Sequence, residues 1–214
     1  MADWDTLHAR ARERYDEGAA RLPDEPDARQ KQLTRLGNAA GAAGLTELMA
    51  GHDGGAWFAR AAERYRESWE HAPPASWGRP IGAIKARLLA GDWVRAASDA
   101  RWALDAGAAE AESPIGRYAA ALAYGVLGEW GDMRVHAGYA QKHETFPREV
   151  GDALASIAAE DVVGYTEAVA SVLESFETRD EYLEDIPVAD TVLVLQALAG
   201  RRGMAAELES ELLP

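Results

Sequence analysis

The chain contains no cysteine among its 214 residues. This absence excludes a disulfide framework, a thiolate nucleophile and a cysteine-ligated metal site. Lysine is also scarce, since only Lys31, Lys85 and Lys142 occur, and acidic residues outnumber Lys and Arg by 36 to 22. A net charge of −14 repels a phosphate backbone, so we expect no nucleic-acid partner.

Long hydrophobic runs are missing as well. The stretch Val192–Leu195 is among the longest, far below the roughly 20 apolar residues that a membrane span requires. The first residues, Met1-Ala2-Asp3-Trp4-Asp5, are acidic and lack the apolar segment of a secretion signal. We therefore expect no membrane association and a cytoplasmic location.

The acidity itself has two interpretations. An acid-rich, lysine-poor and alanine-rich composition is typical of halophilic proteins, whose negative surface maintains solubility in strong salt. The alternative is that part of this surface binds a basic partner.

The pattern of apolar residues predicts helices from end to end, because the alternation typical of strands is nearly absent. Proline and glycine mark the breaks between them. About ten helices are predicted, near residues 2–21, 26–50, 55–71, 79–90, 92–107, 114–127, 130–143, 148–158, 161–177 and 187–201. The linker candidate at 73–78 is short, so we expect a single all-helical domain over residues 1–214.

A short motif recurs in the middle of the chain. Gly91-Asp92-Trp93 and Gly128-Glu129-Trp130 lie 37 residues apart, and each follows an apolar helical stretch. Such a glycine caps one helix and the acid begins the next, where the helix dipole favours negative charge. A weaker copy is residues 158–162. The spacing predicts helix pairs joined by tight turns, with each Trp largely buried.

The residues after these turns resemble the tetratricopeptide repeat in a degenerate form. Ala96, Ala103 and Leu104 match small and leucine positions of the second helix, and Tyr124 matches a first-helix tyrosine. Arg87 and Gln141 depart from the consensus. The resemblance is clearest over residues 78–145, and it implies an all-α, right-handed superhelix of antiparallel helix hairpins.

The last predicted helix is apolar on almost all sides between Val188 and Leu198, which predicts burial. In two of the helix pairs, the positions of the first helix that would face the groove of the superhelix are also mostly apolar. Such side chains would be costly to expose to water. These positions are Ile81, Lys85, Leu88, Leu89, Ile115, Tyr118, Leu122 and Val126. We therefore expect the last helix to fill or cap the concave side of the superhelix.

Catalytic signatures are absent: the sequence has no G-x-S-x-G elbow, phosphate-binding loop or dinucleotide fingerprint. Asp132, His136 and His143 fall on nearly one helix face and could hold a metal. Their neighbours Arg134 and Lys142 instead favour a partly exposed polar face. We expect no enzyme activity, no catalytic residue, no metal and no cofactor.

The most acidic segment lies before the last helix. It sets six acids against a single Arg179, and these acids are the candidate partner-binding residues: Glu174, Glu177, Asp180, Glu181, Glu184 and Asp185. One interpretation is a docking surface for a basic protein, because complementary charge accelerates association. The other is a hydrated, salt-adapted loop anchored by Tyr182 and Leu183.

Residues 182–199, from Tyr182-Leu183-Glu184-Asp185 to Gln196-Ala197-Leu198-Ala199, resemble the C-terminal segment of Imm49-type immunity proteins. That resemblance implies neutralisation of a toxin by direct binding, without a cofactor. We therefore predict a non-catalytic helical-repeat protein that acts by protein–protein interaction, with a basic toxin as one partner. The alternative is a helical enzyme or small-molecule binder with a pocket beneath the last helix.

Overall fold

A computed structural model describes residues 3–214, which form ten α-helices and no strand. The helices are α1 (Trp4–Ala20), α2 (Pro26–Met49), α3 (Gly55–Trp69), α4 (Gly78–Leu89), α5 (Trp93–Asp105), α6 (Pro114–Leu127), α7 (Trp130–Ala140), α8 (Arg148–Ala159), α9 (Val162–Glu177) and α10 (Asp190–Gly200). The predicted all-α class is confirmed. None of the helices over these residues is both long and apolar enough to traverse a bilayer.

The chain divides into two compact units. One comprises Met1–Asp92, Asp180–Val188 and Ser210–Pro214, and the other comprises Trp93–Arg179 and Ala189–Glu209. The acidic segment is thus divided between them, whereas α10 lies in the second unit. The single domain expected from the sequence stays a prediction.

In the first unit, α2 packs against α1 and α3, and α3 packs against α4. Tyr65 of α3 lies at a close approach of three helices. A Cβ atom on Gly37 of α2 would lie 2.8 Å from the Tyr65 ring, and one on Gly82 of α4 would lie 2.6 Å from it. The Tyr65 hydroxyl donates to Asn38 Oδ1 over 2.7 Å. Glycine at these two positions lets both neighbouring helices approach the ring.

In the second unit, each helix from α5 to α9 packs against the next one along the chain. The sequence explains how closely they approach, because α6 carries a run of fully buried small side chains, Ala119, Ala120, Ala121 and Ala123. Small side chains lower the distance at which two helix backbones can pack.

The recurring motif forms turns, as predicted. Gly128 ends α6 in the left-handed conformation at φ 79°, and Glu129 is the N-cap of α7. Gly91 has φ 67° between the end of α4 and the start of α5. In the weaker copy Glu160 takes the left-handed position at φ 57°, and Asp161 caps α9 by accepting from the Gly164 amide. The turn geometry is therefore kept where glycine is replaced.

The predicted burial of the two tryptophans holds only in part. Trp93 and Trp130 are half-buried, because they lie at the first position of α5 and α7 rather than between helices. Guanidinium groups cover them instead. The Cζ atom of Arg201 lies 4.7 Å from the Trp93 ring centroid, and that of Arg202 lies 4.5 Å from the Trp130 ring centroid.

The last helix is buried, as its composition predicted. Val192, Val194, Leu195, Leu198 and Ala199 are each fully buried. The helix packs against α8 and α9. Its Leu198 also approaches α6, because a Cβ atom added to Gly125 would lie 3.5 Å from Leu198 Cδ2.

The predicted start of this helix at 187 is wrong, since α10 begins at Asp190. Ile186, which precedes a proline, is extended at φ −98° and ψ 109°, the region that proline imposes on its predecessor. Ile186 and Val188 belong to the first unit and are buried. The segment that contains them is therefore extended and buried, and does not form a first turn of α10.

Candidate functional site

An open groove of about 460 Å³ lies along three helices of the second unit, α7, α8 and α9. Half of its lining residues are small: Ala155, Ser156, Ala159, Gly164, Ala168 and Ser171. Side chains of this size leave room between helices that would otherwise be filled. The volume falls within the range of sites that accept small molecules or single large side chains.

The charged residues of the groove are mainly acidic. Glu149, Asp152, Asp161 and Glu167 line it together with one cation, Arg134. Two of these acids have partners within the unit. Asp152 accepts from Gln141 Nε2 at 2.7 Å and pairs with Arg148 at 3.5 Å, and Asp161 Oδ1 accepts from the Gly164 amide at 2.9 Å. These contacts hold α7 to α8 and cap α9.

The other two carboxylates are available to a ligand. Within residues 3–214, neither Glu149 nor Glu167 makes a side-chain hydrogen bond or an ion pair. Val163 lies one turn before Glu167 on α9, close to the same helix face, and is 69% exposed. The groove thus offers two unpaired negative charges beside an exposed apolar side chain.

A second cavity, of about 500 Å³, lies in the first unit along α1 and α2. Its lining is Arg14, Glu17, Gly18, Arg21, Gln32, Arg35, Leu36, Ala39 and Glu184. Three guanidinium groups therefore line one cavity in a chain whose net charge is −14.

No family model matches this chain, and neither does any curated protein or solved structure.

The six acids predicted to bind a partner fall into both units. Glu174 and Glu177 belong to α9 in the second unit, whereas Asp180, Glu181, Glu184 and Asp185 belong to the first unit. Arg14 Nη1 donates to Glu184 Oε2 at 3.0 Å, and Arg14 Nη2 donates to Asp185 Oδ2 at 3.2 Å. Glu184 and Asp185 are thus engaged within the chain, and a role in partner binding stays a prediction for all six.

The polar face suggested for α7 is partly buried. His136 is only 7% exposed, its ring stacks on Tyr124 at 5.2 Å, and Arg117 Nη1 lies 3.3 Å from its Nδ1. Burial and the positive charge of Arg117 lower the pKa of His136. His143 is exposed beyond the end of α7. In the part of the chain that the structure describes, no three acidic or histidine side chains are grouped to hold a metal ion.

Sequence reasoning missed both the groove and the cavity. Their lining residues come from separate helices, so no local motif unites them. A weak signal existed for the cavity, because Arg14 and Arg21 are seven residues apart, the spacing of one helix face. For the groove, the spacing of small residues at 155, 159, 164, 168 and 171 indicates only close helix packing.

Proposed function

We propose that this chain is a non-catalytic protein that binds another protein, and that basic side chains of the partner enter the groove along α7, α8 and α9. The observation that supports the proposal is the pair of unpaired carboxylates, Glu149 and Glu167, in a groove lined by small residues. The aliphatic stem of an arginine or lysine fits against small apolar side chains, while its charged head pairs with a carboxylate.

The partner is therefore a basic protein. A net charge of −14 attracts such a partner at long range and raises the association rate, most strongly at low ionic strength. A toxin with a basic surface has this chemistry. Together with the C-terminal resemblance to Imm49-type immunity proteins, the groove favours an immunity-like function, namely neutralisation of a toxin by direct binding in the cytoplasm.

We also infer that the helices stack as a right-handed, tetratricopeptide-like superhelix in a single domain. Support comes from the successive packing of α5 to α9 and from the repeated turns at Gly128 and Glu160. The contact of Leu198 with α6 at Gly125 supports placing α10 on the concave side.

The alternative of an enzyme or small-molecule binder requires a pocket beneath α10. The groove is lined by residues 134–171 and the cavity by residues 14–39 and Glu184, so neither supplies that pocket.

The test is affinity purification of partners from cells of the natural source with the tagged chain. The rim variant is Glu149→Lys/Glu167→Lys. The control is Glu207→Lys/Glu209→Lys, which makes the same charge change at two exposed positions of the second unit. We expect a basic protein to be retained by the wild-type chain and the control, released by salt, and lost from the rim variant.

Retention of the same protein by the rim variant would contradict the proposal. So would equal loss from both variants, because that result would mean that only total charge matters. Recovery of no specifically retained protein, or of an acidic one, would also contradict it.

A further inference from the structure

The cavity along α1 and α2 has a charge opposite to that of the chain as a whole. Arg14, Arg21 and Arg35 line it together with the amide of Gln32. Leu36 and Ala39 add an apolar wall, and both are buried. A volume of about 500 Å³ matches that of small-molecule sites.

The cavity already holds a carboxylate, which belongs to the chain itself. Glu184 lines the cavity, and its side chain is only 21% exposed. Arg14 Nη1 donates to both its Oε2 at 3.0 Å and its backbone oxygen at 3.2 Å. Glu184 thus occupies one anion position at Arg14.

The other two guanidinium groups of the cavity, those of Arg35 and Arg21, have N–H donors available for a ligand. Across residues 3–214, the Arg35 side chain makes no hydrogen bond or ion pair. Arg21 approaches Glu17 only at 3.9 Å, and both side chains are more than half exposed, so solvent weakens this pair. A planar guanidinium binds the two oxygens of a carboxylate or phosphate with parallel hydrogen bonds.

The segment that supplies Glu184 is strained. Glu184 has φ 56° and Asp185 has φ 61°, so two adjacent residues with side chains adopt the left-handed conformation that favours glycine. Arg14 Nη1 donates to the backbone oxygen of this segment at Glu184, so the contact that an anion would replace is one that holds the segment in place.

We propose that this cavity binds a small molecule carrying at least two carboxylate or phosphate groups. One anionic group replaces the Glu184 carboxylate at Arg14, and another is held by Arg35 with Arg21 beside it. The site lies in the first unit and does not depend on the proposed groove interaction.

The test is isothermal titration of the full chain with two probes, pyrophosphate and citrate, at constant ionic strength. Arg35→Gln should weaken binding at least about tenfold, as expected for loss of a charged hydrogen bond. Glu184→Gln should tighten binding severalfold, because the competing carboxylate is removed. Arg12→Gln is the matched control: Arg12 is an exposed arginine of α1, the other helix along the cavity, and lies outside the cavity lining.

Binding of both probes, or of either one, with this pattern of variants supports the proposal, and the preferred probe distinguishes phosphate from carboxylate ligands. Three results would overturn it: no saturable binding of either probe at millimolar concentration, equal weakening by Arg35→Gln and Arg12→Gln, or unchanged affinity in Glu184→Gln. Circular dichroism of each variant verifies the native helix content.

Discussion

The guanidinium of Arg202 stacks over Trp130 at the start of α7, with 4.5 Å between Cζ and the ring centroid. The same group donates from Nη1 to the backbone oxygens of Ile157 and Ala158, at 2.7 and 2.8 Å, near the end of α8. It also pairs with the Glu160 carboxylate. One side chain that follows α10 thus joins the beginning of α7 to the end of α8.

Arg201 repeats this arrangement one helix pair earlier. It stacks over Trp93 at the start of α5 and donates to the backbone oxygen of Val126, near the end of α6, at 2.6 Å. A cation at a helix C-terminus satisfies orphan carbonyl groups and complements the helix dipole. Each half-buried tryptophan is therefore covered by one of two consecutive arginines that follow α10.

We predict that Arg202→Ala destabilises the second unit by about 1–3 kcal/mol, because two helix-end carbonyls lose a charged donor. Urea unfolding followed by circular dichroism measures the change. Arg134→Ala removes an exposed arginine of the same unit and should alter stability by less than about 0.5 kcal/mol. If both substitutions change the free energy of unfolding equally, the contacts of Arg202 with the helix ends do not stabilise the second unit.

Leu195→Ala should cost about 2–5 kcal/mol, the range for truncation of a fully buried leucine. The matched control is Leu193→Ala on the same helix, where the side chain is only half-buried and the loss should be smaller. Chemical denaturation of both variants provides the comparison. A similar loss of unfolding free energy for the two variants would mean that Leu195 is no more buried than Leu193.

We predict that the free energy of unfolding decreases on acidification and that His136 contributes to this decrease. Its folded-state pKa is lowered below 6.5 by burial and by Arg117, whereas the unfolded chain keeps the usual value. As the pH falls through about 6.5, the unfolded state takes up a proton that the folded state resists, so the free energy of unfolding decreases.

His136→Gln removes this proton uptake. The stability difference between the wild-type chain and the variant should therefore narrow between pH 7.5 and pH 5, as measured by urea unfolding at each pH. A constant difference across this range would contradict the lowered pKa.

Salt should stabilise the protein if the acidic excess is an adaptation to strong salt. Mutual repulsion among the carboxylates that produce the −14 charge is screened by added ions. We expect the melting temperature to rise by several degrees between dilute buffer and molar KCl. A flat response would favour the other interpretation, in which the acids serve a partner.

The helices follow from the amino-acid sequence alone, because helix formation and termination depend on local chemistry. Apolar periodicity, the prolines and the glycine at 128 are sufficient to place α6 at its observed bounds. The same local rules identified the third turn, even though Glu160 occupies the position of glycine there.

Contacts between distant side chains follow instead from the packing of the helices. Arg14 binds Glu184 across 170 positions of the chain, and Arg202 reaches Ile157 across 45. No period or motif encodes such pairs, because they depend on how helices pack after each has formed. The sequence mispredicts the start of α10 for the same reason. Proline favours the first turn of a helix, but the segment around Pro187 is extended, with Ile186 and Val188 buried, and α10 begins at Asp190.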